Sequence, residues 1–152
     1  METTVYLAVN GTLMRGLELN DNMLLVGAKF VREAWTEPAY RLWSIHDRHP
    51  AMMRVNQGGA AIAVEIWSVP AAKMSVLLML EPPGLCIGKM RLQTGEEVLG
   101  VLGEPFLCEG KREITQWGGW RAYTAHLAQE KQQPTPEPPA AENLPGPLSP
   151  VV

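Results

Sequence analysis

The 152-residue chain is 46% hydrophobic and 19% charged, enough apolar material for one domain of about 100–150 residues around a single core. Thirteen Lys and Arg stand against sixteen Asp and Glu, and two of those acids, Glu137 and Glu142, lie in the C-terminal stretch. A near-neutral folded part excludes a charge-driven nucleic-acid binder. No apolar run reaches the ~18–20 residues that span a bilayer, so no membrane partner is expected either.

Thirteen prolines are present, seven of them between Pro134 and Pro150. That segment has no aromatic residue and no apolar period, so it buries too little to offset its chain entropy. The expected division is a folded domain over 1–130 and a Pro-rich disordered tail over 131–152. The N-terminus lacks a basic region followed by an apolar run, and Cys86 and Cys108 have no C-x-x-C spacing. A reduced, cytoplasmic chain is the expectation.

In chain order, Val5 to Val9 is a β-rich run ending at the turn Asn10-Gly11, and Leu13 to Gly16 continues as a tight loop. Leu19 to Leu25 holds one helical turn. Val26 to Arg32 and Tyr40 to Ile45 alternate as half-buried strands. Met52 to Val55 precedes Asn56-Gln57-Gly58-Gly59, which predicts a hairpin to a strand over Ala60–Val69. Pro70 opens a helix over Ala71–Leu80, closed by Pro82-Pro83-Gly84. Leu85 to Leu92 and Glu97 to Leu102 form a strand pair around Gln93-Thr94-Gly95-Glu96. Ile114 to Gln129 is a helix broken at Gly118-Gly119, with Trp117, Trp120, Tyr123 and Leu127 as its apolar stripe. The count predicts an α+β fold, a small antiparallel or mixed β-barrel with flanking helices.

Few residues offer chemistry. After the first strand, the N–H groups of Gly11, Thr12 and Leu13 can form an anion-binding concavity, with the Thr12 hydroxyl and the Arg15 charge beside it. The same composition also makes an ordinary connector. Glu81, at a helix end between Leu80 and Leu85, is either a carboxyl of raised pKa suited to general-base work or a solvated helix-end acid. Glu65 is expected to point outward on its alternating strand. Asp47 and Arg48 look like a solvated loop pair. His46 and His49, without a third ligand, are a weak metal signal, so no metal is assigned. Cys86 and Cys108 look like small buried hydrophobes.

Residues 5 to 16, Val-Tyr-Leu-Ala-Val-Asn-Gly-Thr-Leu-Met-Arg-Gly, resemble the Y-G-[ST]-L loop that opens γ-glutamylcyclotransferase-like (AIG2-like) proteins. Asn10 stands where that pattern has its tyrosine, and Pro82-Pro83 follows Glu81 where it has glycine. A closer likeness is to the C-terminal domain of allophanate hydrolase, carried by Tyr40–Trp43, Met53–Val55, Val64–Pro70, Leu85–Gly88 and, most specifically, Gly118-Gly119-Trp120-Arg121-Ala122-Tyr123. The resemblance implies the γ-glutamylcyclotransferase-like fold. It also implies an enzyme acting on a small polar, carboxylate-bearing amide, amine or carbamate. Gly11, Thr12, Leu13 and Arg15 would hold the substrate and Glu81 would be the acid/base. Proton transfer and positioning need no cofactor. The alternative it implies is a non-catalytic accessory domain that partners a separate amidase.

Overall fold

The computed structural model describes residues 2–132. The Pro-rich tail expected from residue 131 lies, from residue 133 onward, outside the described residues. Strand β1 (Thr4–Val9) is the centre of a five-stranded sheet. It pairs antiparallel with β5 (Ala63–Pro70), Val9 opposite Glu65, and parallel with β7 (Glu97–Gly103), Leu7 opposite Leu99. Flanked on both edges and covered on both faces, its second half (Leu7, Ala8, Val9) is buried without alternation, while Tyr6 stays half exposed.

Strand β2 (Lys29–Trp35) lies outside β5, and β6 (Leu85–Arg91) outside β7. The β2–β5 register shifts between Phe30 and Arg32, a bulge that increases twist. The sheet therefore curls until its two edges meet at one end. There Thr36 bridges Leu92, the Glu37 N–H donates to the Arg91 carbonyl at 3.0 Å, and the Gln93 N–H donates to the Trp35 carbonyl at 2.9 Å. The α+β fold expected from sequence, a small mixed β-barrel with flanking helices, is the one observed; the barrel is not closed, its large sheet being pinned at one end.

A second sheet runs in the order β4 (His49–Arg54), β3 (Tyr40–Ile45), β8 (Arg112–Glu113). The expected hairpin from Met52–Val55 into Ala60–Val69 does not form. Instead β3 and β4 pair with each other, Ile45 opposite His49, while β5 joins the larger sheet. Gly59 serves a different purpose from a hairpin turn: a Cβ there would sit 2.6 Å from the Ala39 carbonyl carbon, so glycine permits a close backbone pass. Val26–Ala28, expected in strand, instead close helix α1 (Asn20–Leu25), and β2 begins at Lys29.

The helical stretch after Pro70 is a 3₁₀ turn (Ala71–Lys73) leading into α2 (Met74–Met79). A short α3 (Pro105–Cys108) follows β7. The chain then makes a 3₁₀ turn over Thr115–Trp117, breaks at Gly118 with φ 72°, and enters α4 (Trp120–Gln132). Between sheets and helices lies one main core of fully buried side chains, among them Leu7, Met23, Tyr40, Ile62, Leu77, Met90 and Tyr123. Each buried aliphatic side chain contributes about 1.5–3 kcal/mol. Among the described residues no helix is long and apolar enough to cross a membrane.

Candidate functional site

The loop after β1 has one-sided backbone polarity. Its carbonyls are engaged: Gly11 O accepts from the Met14 N–H at 2.9 Å, Thr12 O from the Leu19 N–H at 3.0 Å, and Leu13 O from Asn20 Nδ2 at 2.8 Å. The N–H groups of Gly11, Thr12 and Leu13 find no acceptor among the described residues, although all three residues are buried. Three successive unspent donors make a concavity of positive potential.

Glu81 faces them. Its N–H closes the last turn of α2 onto the Leu78 carbonyl at 3.1 Å, and Pro82 then ends the helix. Gly84, at φ 88°, bends the chain so that Leu85 N–H reaches Pro82 O and Gly84 O accepts from Glu104 N–H at 2.8 Å. Pro82-Pro83 thus fixes where Glu81 sits. The Glu81 carboxyl lines an inner recess of about 20 Å³ together with Asn10, Gly11, Thr12, Leu13, His49 and Pro50. That space holds a water or the terminal group of a ligand. Glu81 Oε1 is buried with no hydrogen-bond partner among the described residues. Burial pushes its pKa up to about 7.

The recess continues into an outer cleft of about 380 Å³ that shares Thr12, His49 and Glu81 and adds Glu18, Leu19, His46, Arg48, Leu80 and Pro82. His49 Nδ1 lies 3.0 Å from the Pro50 carbonyl. A carbonyl only accepts, so Nδ1 carries a proton and Nε2 of the neutral ring is an acceptor. Among the described residues no three His, Cys, Asp or Glu side chains converge as metal ligands would.

Two neighbours of Glu81 are set by sterics. Asn10 is buried and spends its Nδ2 donor on the Val101 carbonyl at 2.9 Å, tying the end of β1 to β7. At Gly11, a Cβ would overlap the Pro50 ring, 2.6 Å from Cγ. A Gly11→Ala protein is therefore expected to lose about 1–3 kcal/mol of stability, the usual cost of overpacking. Urea denaturation measures it, and an unchanged midpoint would refute the close fit.

Gly11, Thr12, Leu13 and Glu81 thus line one recess; Arg15, expected beside them, does not. The loop turns over at Met14, and the Arg15 guanidinium lies on the far side, 3.6 Å above the Phe30 ring. There it donates to Glu33 Oε1 at 2.9 Å and to Glu65 Oε2 at 3.2 Å. Glu65 also departs from expectation. It is 2% exposed, because β5 is an inner strand whose outward face is covered by the loop and α4. Its carboxylate accepts from the Arg15 N–H at 2.9 Å, Arg121 Nη2 at 3.1 Å and Trp67 Nε1 at 3.2 Å. Burial works to raise its pKa, but these donors outweigh it and hold the carboxyl below the ordinary carboxylate value.

Asp47 and Arg48 are no ion pair. Asp47 stays exposed, and its carboxylate accepts from Ser44 Oγ at 2.6 Å and from the Tyr123 hydroxyl at 2.5 Å. These bonds, Ser44's first, lower its pKa. Arg48 lines the outer cleft. Sequence reasoning missed His49 and Arg48 as cleft residues because it placed no strand start at His49.

Comparison with known proteins places this architecture among relatives. The family model described as the allophanate hydrolase C-terminal domain matches residues 5–125. The crystal structure of a uropathogenic E. coli-specific protein is 63% identical, covering 82% of this chain and 98% of that one, with a TM-score of 0.80. Urea amidolyase of Saccharomyces cerevisiae is 30% identical over 138 residues, 86% of this chain. The chain spans about 8% of the length of the urea amidolyases it matches. An AIG2-like protein from Mus musculus shares the fold at 20% identity and a TM-score of 0.52, over 66% of this chain and 76% of that one.

Proposed function

This chain belongs to the allophanate hydrolase C-terminal domain family, and on that footing we propose that it is an enzyme acting on a small carboxylate-bearing amide, amine or carbamate, with Glu81 as its acid/base. One observation carries the reading: a buried carboxyl whose pKa is raised to about 7 shares a recess with three unspent backbone donors. The donors of Gly11, Thr12 and Leu13 suit an anionic oxygen, whether a ground-state carboxylate or charge developing during reaction. Near neutral pH Glu81 populates both protonation states, so it can take a proton from an attacking nitrogen and return it to a leaving one. In a cyclotransferase-type reaction, an amine nitrogen of the substrate would attack its own γ-carbonyl. Glu81 would accept the proton that this nitrogen sheds and a free amine would depart.

A thermal-shift panel of γ-glutamyl amines, ureido carboxylates such as N-carbamoylglycine, and small dicarboxylates tests the reading. A ligand at about 100 times its Kd adds roughly 2.7 kcal/mol to stability and raises Tm visibly. The expected result is a rise with at least one class, abolished when Gly11→Ala deforms the recess.

A second reading is favoured by the small share of urea amidolyase that this chain covers: an accessory domain that partners a separate amidase. A panel that leaves Tm unmoved, together with co-purification of an amidase, would replace the enzyme reading with this one.

A further inference from the structure

The Gly118–Tyr123 segment ends on a hydroxyl that the proton chemistry does not use. Tyr123 is fully buried, its ring packed against Trp117 at 5.2 Å and Trp120 at 5.7 Å. Arg112 donates to its hydroxyl oxygen at 3.5 Å, and the hydroxyl itself donates to Asp47 Oδ1 at 2.5 Å. It is therefore a fixed point against which the β3–β4 turn is held.

That turn needs holding. His46 and Asp47 adopt φ of 55° and 57°, two consecutive side-chain-bearing residues in the left-handed region, where Cβ crowds the following carbonyl. Asp47 compensates: its carboxylate takes the Ser44 and Tyr123 hydroxyls, its N–H donates to Ser44 Oγ at 3.0 Å, and the Arg48 N–H closes onto Ile45 O at 3.0 Å. On either side of the latched residue, His46 and Arg48 line the outer cleft that opens on Glu81.

We infer that Tyr123 is a positioning residue: through Asp47 it locks the left-handed turn that sets His46 and Arg48 along the Glu81 cleft. The inference rests on reading that cleft as the ligand site, and it extends the site's determinants to helix α4. Misplacing a contact group by about 1 Å costs up to ~100-fold in activity, so a loosened rim is expected to show in affinity rather than in folding alone.

The test compares four full-length chains: wild type, Tyr123→Phe, Asp47→Ala and Asp47→Asn. Calorimetric titration with N-carbamoylglycine is run well below each protein's Tm. Tyr123→Phe keeps the ring and loses the latch, and Asp47→Ala loses the latch and strains the turn; both are expected to bind about tenfold more weakly. Asp47→Asn tolerates the left-handed region and still accepts from Tyr123, so it is expected to bind as the wild type does. Amide exchange at Arg48 supplies a readout that needs no ligand, expected to speed up in Tyr123→Phe and Asp47→Ala and not in Asp47→Asn. Wild-type affinity in Tyr123→Phe, or unchanged Arg48 exchange, would overturn the latch. Failure of the wild type to bind would count against the ligand-site reading, leaving exchange to decide the latch.

Discussion

At pH 8 the Glu81→Gln protein is expected to be more stable than the wild type and to turn over any substrate that the wild type consumes at least ~100-fold more slowly, the usual weight of a positioned acid/base. The stability gain follows from linkage. Unfolded, the Glu81 carboxyl ionises near its ordinary 4.5; folded, burial holds it protonated up to about 7. Between those values the native state binds the extra proton, so stability falls as pH rises from 4.5 through 7 and levels off above. The accumulated penalty at pH 8 is about 3 kcal/mol. Glutamine removes the charge but leaves an amide in the same unpartnered place, so a gain of about 2 kcal/mol is the expected net. Below pH 4 the wild-type carboxyl is neutral in both states and the ionisation penalty is gone, so the order should reverse and the glutamine variant should be less stable by about 1 kcal/mol. Thermal melts at pH 4, 6 and 8 read this out. A variant no more stable than wild type at pH 8 would mean that Glu81 ionises freely in the fold, and full turnover would remove it from the chemistry.

Glu65 is the opposite case: a buried carboxylate whose two oxygens accept from four donors. Truncation to alanine strands the Arg15 N–H and the Trp67 indole N–H, and frees two guanidiniums. Breaking a buried pair from one side costs about 3–5 kcal/mol. Both arginine side chains are nearly half exposed and can turn to water, so the expected loss is near the lower figure, about 3 kcal/mol. Because the folded pKa is depressed, the contribution is full above about 4.5 and disappears as pH falls through the folded value. Urea midpoints for wild type and Glu65→Ala should therefore differ at pH 7 and converge toward pH 2. Equal midpoints at pH 7 would show that the donors find water at no cost.

The two acids also show what was legible before the structure. Glu81 stood out because Pro82-Pro83-Gly84 ends a helix without ambiguity, and a carboxyl held at that end between leucines is a local pattern. Glu65 was misread because alternation describes a strand with one wet face, whereas β5 is an inner strand with the Arg15 loop and α4 laid over its outer side. Covering elements fifty residues away leave no mark on local spacing. Arg15 failed for the related reason that adjacency in a loop is not shared direction: the chain reverses at Met14. The β3–β4 hairpin was invisible because its turn uses His46 and Asp47 in left-handed geometry, where no glycine announces it. Gly58-Gly59 advertised a hairpin that the fold uses as a close backbone pass. The loop N–H groups were identifiable as candidates, but that their carbonyls were all spent elsewhere is a tertiary fact.

The parallel pairing of Leu7 with Leu99 has a kinetic consequence. The strand at the middle of the large sheet precedes both of its neighbours in the chain, and one of them, β7, emerges only after most of the domain has been synthesised. Until then β1 has one open edge, rich in β-branched and apolar residues, that can pair with the wrong strand or another chain. Closing so long a loop makes folding slow relative to a domain of local hairpins. Expression yield of this protein should therefore respond to temperature and chaperone supply more strongly than its equilibrium stability would suggest.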